Sequence, residues 1–411
     1  MKGLKALKYT DGGVTAPSGF SASGVHCGVK RGSSLLKLDL ALIFSETECT
    51  AAGVFTRNSV KAAPVLLDMD RLKSGKARAI IANSGNANAC APGAYEAAEL
   101  MACAAASSLG ISPSSVLVAS TGVIGQALNT EAIISGIEPL VKNLGKNSSD
   151  AADAIMTTDT FRKETAAEFS LSGGTARIGA ICKGSGMIHP NMGTLLCFIT
   201  TDAAISADML SRALRVAVNA SFNRVSVDGD TSTNDSCIIL ASGLCGSPEI
   251  TAEDDDYKIF VGALTQVCVR LARMIAGDGE GATHLITCRV SGASTDKDAE
   301  TLAMSVIKSP LTKAAIFGAD ANVGRVLCAI GYSGAFLRPD MVDIIFTSEN
   351  GSVIVCEKGL CLAFDETLAK NVLEAWEVVI DIRAGDGPGS CECWGCDLTY
   401  DYVRINGDYR S

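Results

Sequence analysis

The chain has 411 residues, enough for one large domain or two with a sizeable core. It is 47% hydrophobic but only 5% aromatic, with 41 glycines, so the core should be aliphatic and small-residue and the turns many. A net charge of −10 argues against nucleic acid or an anionic membrane as the main partner, and no apolar run reaches the length of a membrane span.

The first residues, MKGLKALKYTDGG, carry lysines without a long apolar run, so no signal peptide is expected. Sixteen cysteines sit mostly in apolar stretches such as Ile181-Cys182, Leu196-Cys197 and Val267-Cys268. Buried free thiols in a cytoplasmic protein account for them most simply.

Residues 1–35 give weak strand signals. Residues 37–44, KLDLALIF, alternate and then turn apolar, which predicts a strand. A second strand at 79–82 runs into NSGNANAC, residues 83–90, a loop dense in short amides. Such a loop is either a structured turn or a ligand-facing surface. Residues 95–109 have a helical pattern with Gly110 as its stop. The short strand 116–120 ends in Ser120-Thr121-Gly122, where a hydroxyl and an unhindered backbone N–H could hold an oxyanion, although Thr-Gly turns are ordinary. Residues 128–145 look helical, and Asn147-Ser148-Ser149-Asp150 can cap the next helix. Thr157-Thr158-Asp159-Thr160 follows, three hydroxyls around one carboxylate, either a helix cap or a polar-ligand site.

Residues 183–202, KGSGMIHPNMGTLLCFITTD, put Gly193-Thr194 ahead of a buried strand. Read plainly this is a glycine turn entering the core. Read chemically, the Thr194 hydroxyl lies next to the Gly193 carbonyl. Attack would give an ester, and hydrolysis would free an α-amine with a reference pKa of about 7.7–8.0, able to act as base for its own hydroxyl.

Beyond it, Ser206 predicts a helix N-cap and a helix through Ala220, and 236–241 a strand. Residues 221–235, SFNRVSVDGDTSTND, are rich in Asp, Ser, Thr and Asn but fail the spacing of a calcium loop. Residues 257–276 form an amphipathic helix ending at GDGEGAT, residues 277–283. This GxGxG run follows a helix and carries acids, so it is no dinucleotide fingerprint. Glu280 between glycines is placed to meet an amine. A strand at 284–290, a helix at 298–307 stopping before Pro310, and a helix from Asn322 to about Ile330 come next, then two strands and a helix. Cys391, Cys393 and Cys396 lie within six residues, but no fourth ligand is evident, so a surface or redox-sensitive thiol cluster is expected rather than a metal site. Residues 398–411 alternate like a strand.

Taken together and in order, NSGNANAC, STGVIG, TTDTF, KGSGMIHPNM, SFNRVSVDGDTSTND, GDGEGATHLI and DLTYDYVRINGDYRS resemble the bifunctional ornithine acetyltransferase / glutamate N-acetyltransferase family of arginine biosynthesis. The resemblance runs nearly end to end. It implies a layered α/β fold, like the N-terminal-nucleophile hydrolases but with its own topology. It implies self-cleavage at Gly193–Thr194 into an α chain, 1–193, and a β chain, 194–411, assembled two of each. It implies an acetyl-threonine intermediate on Thr194, oxyanion donors at Thr121 and Gly122, and substrate contacts at Thr158, Lys183, Thr194, Glu280, Asn406 and Ser411. The substrates implied are N2-acetylornithine and glutamate, with no cofactor or metal. Acetyl-CoA as a second donor is left open, since no phosphate- or adenine-binding motif decides it. Gly193, Arg162, Gly407 and Ser411 depart from the family's usual alanine, proline, alanine and threonine; the last change keeps a hydroxyl. Two rival readings remain: a self-processing aminopeptidase or amidase with water as acceptor, and an uncleaved binding protein in which Thr194 merely starts a strand.

Overall fold

The structure is a computed structural model that describes residues 7–30, 32, 34–189 and 195–408. Among these the elements run β1 (Lys8–Thr10), β2 (Phe20–Val25), β3 (Leu40–Phe55), α1 (Ala63–Arg71), β4 (Lys76–Asn83), α2 (Ala94–Leu109), β5 (Val116–Ser120), α3 (Thr130–Lys142), α4 (Ser148–Ile155), β6 (Lys163–Leu171), β7 (Gly174–Lys183), β8 (Leu196–Thr201), α5 (Ala207–Asn219), β9 (Val225–Ser226), β10 (Ser236–Ala241) and α6 (Asp255–Gly277). They continue as β11 (Leu285–Ala293), α7 (Asp296–Lys308), α8 (Pro310–Phe317), α9 (Val323–Gly331), β12 (Asp343–Ser348), β13 (Gly351–Glu357), β14 (Leu360–Cys361), α10 (Glu366–Leu373), β15 (Glu377–Arg383), β16 (Gly389–Cys396) and α11 (Tyr400–Gly407).

Two compact units form. The first comprises Met1–Gly184, Asn191–Asn223 and Thr231–Leu271; the second comprises Ser185–Pro190, Arg224–Asp230 and Ala272–Ser411. The first is built on a nine-stranded mixed sheet, β1-β6-β7-β8-β10-β3-β4-β5, with β2 also on β3. The period-2 alternation of its strands sorts their side chains onto two faces. Ala79, Ile81, Val116 and Val118 pack under α1, α2 and α3, whereas Ile80, Ala82, Leu117 and Ala119 pack under α4. Burial on both faces explains why 79–82 and 116–120 read as continuous apolar runs. β3 is longer than the expected 37–44 because it bulges between Phe44 and Cys49 and runs on through the polar Ser-Glu-Thr-Glu stretch to pair with β10.

In the second unit a seven-stranded sheet, β14-β13-β12-β15-β11-β16-β9, shares a core with α7, α9 and α10. Three expectations are corrected here. Of the expected strand at 398–411, the described residues 398–408 form none: Tyr400–Gly407 is a helix, because the Thr399 hydroxyl accepts the Tyr402 N–H and caps it. The apparent alternation of that tail came from Tyr400, which is exposed, and Tyr402, which is half-buried, two positions apart on that helix. The thiols of Cys391, Cys393 and Cys396 are not at the surface: all three lie in β16, 6%, 0% and 2% exposed. Pro310 does not merely stop a helix. Ser309 ends α7 and caps α8, with Pro310 at the first helical position, where its missing N–H is no loss.

By length and composition α6 could cross a membrane, but 61% of its apolar window is buried within the protein, as in a core helix.

Candidate active site

The Ser120-Thr121-Gly122 turn ends β5 in the first unit, and the amide-rich loop after β4 holds it. Asn83 is fully buried; its side chain accepts the Ser120 hydroxyl at 2.7 Å and donates to the Asn86 carbonyl at 2.9 Å. The Thr121 N–H donates to the Asn83 carbonyl. Asn86 donates to the carbonyls of Gln126 and Ala127, and Asn88 to that of Ala94. The loop is therefore a structured scaffold, the N–H₂ groups of Asn83, Asn86 and Asn88 all spent on backbone carbonyls. Gly122 sits at φ 133, and a Cβ there would lie 2.3 Å from the Gly85 carbonyl carbon, so only glycine fits. Among the described residues neither the Gly122 N–H nor the Thr121 hydroxyl is given a hydrogen-bond partner. Both donors are thus open to a ligand.

The dipeptide Asn234-Asp235, just before β10, ties this turn to the head of β8. The Asn234 side chain donates to the Ser120 carbonyl at 2.8 Å and the Ala87 carbonyl at 2.6 Å. The fully buried Asp235 carboxylate accepts the Leu195 N–H at 3.0 Å, and Leu195 follows Thr194 directly in the chain. Among the described residues its second oxygen has no hydrogen-bond partner. Burial pushes the Asp235 carboxyl well above the usual carboxylate range, against the opposing pull of the Leu195 N–H and the Lys183 charge. Sequence reasoning weighed this stretch as a failed calcium loop and as one of the motifs of the resemblance, and gave Asn234 and Asp235 no part in holding the turn. The available signal was an Asn-Asp pair set immediately before a wholly apolar strand.

Lys183 ends β7 and pairs in register with Leu196. It is 2% exposed, and its ammonium makes no hydrogen bond within the described residues. Nearby, Asp159 gathers positive charge. Its Oδ1 accepts Lys163 Nζ and the Gly184 N–H, each at 2.7 Å, and its Oδ2 accepts the Thr157 N–H at 3.1 Å. Burial alone would raise its pKa, but the Lys183 and Lys163 charges outweigh burial and hold the carboxyl well below the usual range. Thr158 is fixed between Thr157 and Asp159 on this same turn. Lys163, with side-chain exposure 0%, was not singled out from sequence: it meets Asp159 across an irregular turn between α4 and β6, where no helical spacing marks the pair.

In the second unit Glu280 is 8% exposed and accepts Asn406 Nδ2 at 2.8 Å, bringing two expected contacts together. The Glu280 N–H donates to the Ser185 carbonyl, and a Cβ on Gly186 would fall 2.4 Å from the Glu280 carboxylate. Gly186 therefore leaves the room that Glu280 occupies. Asp228 accepts the N–H groups of Met187 at 2.6 Å and Ile188 at 3.0 Å, so it latches the loop leading toward residue 190. Burial, then the Asp230 and Glu280 charges, raise its pKa despite these bonds. Gly193, Thr194 and Ser411, the cleavage pair and the last expected contact, lie outside the described residues.

The fold is mixed α/β, and its first unit holds a tied Thr121-Gly122 turn together with buried charge at Lys183, Asp159 and Lys163. Residues 21–411 match the ArgJ family model, and the chain belongs to that family, acetyltransferases of arginine biosynthesis. It is 52% identical over 394 residues to arginine biosynthesis bifunctional protein ArgJ 1 of Clostridium acetobutylicum, covering 95% of this chain and 96% of that protein. It is 51% identical over 412 residues to the ArgJ protein of Symbiobacterium thermophilum, covering 98% and 100%. A crystal structure of ArgJ from Bacillus halodurans is 44% identical, covers 51% of this chain and 96% of that one, and superposes with a TM-score of 0.48.

Proposed function

We propose that the protein moves acetyl from N2-acetyl-L-ornithine to L-glutamate through Thr194, after cutting itself at Gly193–Thr194 into chains 1–193 and 194–411. Two copies of each assemble in the cytoplasm. The observation that carries this reading is the Asn234-Asp235 tie. One dipeptide fixes both the turn bearing two open donors and the residue that follows Thr194.

In the first half-reaction the Thr194 hydroxyl gives its proton to its own α-amine and its oxygen attacks the acetyl carbonyl. The Thr121 hydroxyl and the Gly122 N–H stabilise the resulting oxyanion. Collapse breaks the C–N bond, and ornithine's amine leaves with that proton. In the second half the amine of glutamate attacks the acetyl ester, the ester C–O bond breaks, and the hydroxyl is restored. Lys183 meets the substrate carboxylate, while Glu280, oriented by Asn406, meets an amine; Thr158 and Ser411 complete the contacts. Acetyl-CoA enters as a second acetyl donor to the same hydroxyl.

A covalent intermediate predicts ping-pong kinetics. Double-reciprocal plots against acetylornithine at several glutamate concentrations should be parallel, and chain 194–411 exposed to donor alone should gain one acetyl mass on Thr194. Thr194→Ala should remain one uncut, inactive chain. Intersecting lines with no acetylated fragment would replace this mechanism by direct transfer.

A further inference from the structure

The first unit carries a cavity of about 520 Å³ whose lining shares no residue with the contacts assigned above. Its cationic side is formed by Arg57, Lys61 and Arg215, its apolar side by Phe55 and Met69, and Asn219 stands on its rim with Asn223. No carboxylate lines it. This is unusual in a chain of net charge −10. Elsewhere arginines such as Arg162, Arg177, Arg273 and Arg289 are paired with acids. Arg57 and Arg215 make neither an ion pair nor a hydrogen bond within the described residues. Three positive side chains facing one space repel one another unless an anion joins them.

The wall is fixed in advance. The Thr56 N–H donates to the Asp235 carbonyl and its hydroxyl to the Ser232 carbonyl, Asn58 donates to the Thr231 carbonyl, and Lys61 Nζ donates to the Asn58 carbonyl. Gly53 leaves room for the ring of Phe55, since a Cβ there would lie 2.8 Å from two ring atoms. Asn219 accepts Asn223 Nδ2 at 2.8 Å.

We infer that this cavity binds a phosphorylated adenosine. The phosphates lie on Arg57, Lys61 and Arg215, for which guanidinium forks are suited. The planar base lies against Phe55 and Met69, with amides at its edge that can both donate and accept. The volume is within the usual range for small-molecule sites, roughly 300–1,000 Å³. The position suggests a use. Phe55 pairs with Ser236 and Ser236 with Leu196, so the cavity begins two strand spacings, about 10 Å, from the head of β8. The bound group is either the 3′-phosphorylated ADP end of acetyl-CoA, an assignment that rests on the donor reading above, or a free nucleotide of the same chemistry.

Adenosine 3′,5′-bisphosphate is the probe, titrated calorimetrically into the intact protein and into an Arg57→Gln/Arg215→Gln variant. Both arginines are exposed, so the variant should keep its thermal midpoint. Wild type should bind with an affinity that falls as salt rises. The variant should bind about tenfold more weakly or worse, as expected on losing charge-assisted hydrogen bonds. A matching rise in KM for acetyl-CoA, with acetylornithine kinetics unchanged, assigns the site to the donor. Probe binding without that rise upholds the site and assigns it to a free nucleotide. If wild type does not use acetyl-CoA at all, the donor reading fails, and calorimetry alone still decides the site. No binding of the probe by wild type, or equal binding by the variant, overturns the inference.

Discussion

Asp159→Asn isolates what neutralises the two buried lysines of the first unit, Lys163 and Lys183. The wild-type carboxylate neutralises Lys163, which is wholly buried, and acts on Lys183, which is 2% exposed. Asparagine keeps one acceptor for Lys163 and the Gly184 N–H, but it turns an N–H₂ toward the Thr157 N–H, where Oδ2 accepted. Two ammonium groups then share the interior without this negative charge. Breaking a buried pair by removing one partner costs about 3–5 kcal/mol, a large share of a typical stability of about 5–15 kcal/mol. The assay is urea unfolding at pH 7 and in acid. Since the folded carboxyl titrates well below its unfolded value of about 3.9, its contribution is complete above that pH. It is lost as the pH falls further. Wild type should therefore approach the variant in acid, and the gap should be full at neutrality. Adding Lys163→Met to Asp159→Asn should recover much of the loss. A neutral-pH difference under about 1 kcal/mol, with no closing of the gap in acid, would refute the charge argument, because a buried pair cannot be severed so cheaply.

Thr121→Ala should fold normally and lower kcat by about 10²–10³, the usual cost of one oxyanion donor; wild-type turnover would remove Thr121 from the site. Asp235→Ala strands the Leu195 N–H and should destabilise by about 1–3 kcal/mol in thermal unfolding, whereas Asp235→Asn keeps an acceptor and should cost less; equal effects of the two would contradict this. Burial, followed by the Lys308 charge, lowers the His189 pKa to about 4. The unfolded state then takes up more protons between that value and about 6.5, so stability should fall as pH drops through this window. His189→Asn should flatten that part of the profile, measured as thermal midpoint against pH.

Local pattern carried the sequence reading where turn signals bracket short apolar runs. β5 and β10 have the expected bounds, 116–120 and 236–241, and α2 ends at Gly110 in the left-handed conformation its stop signal required. It failed where a single capping contact overrode alternation, as at Thr399 and α11. It also failed where burial is decided by elements far away in sequence: Cys391 and Cys393 are covered because they share a core with Leu302 and Val306 of α7. The site divides in the same way. The Ser120-Thr121-Gly122 turn stands at the end of β5 as expected, because its signal is local. Asn234 and Asp235 were not singled out, since their partners at Ser120 and Leu195 acquire meaning only when distant strands are aligned, and Lys163 was not, since it meets Asp159 on an irregular turn outside any helix.

The strand order of the first unit bears on the fate of a chain cut at Gly193–Thr194. β8 and β10 would belong to the later fragment, yet they sit between β7 on one side and β3 on the other, both from the earlier fragment. The products would be interleaved, with one fragment's strand pair inserted into the middle of the other's sheet. Separating them would require opening two interior hydrogen-bonded seams and exposing both faces of the core at once. Dissociation would then be indistinguishable from unfolding, and dilution alone would not drive it. Each fragment made by itself would present unpaired interior strand edges to solvent, so activity should be recovered from co-expression and not from mixing separately folded halves.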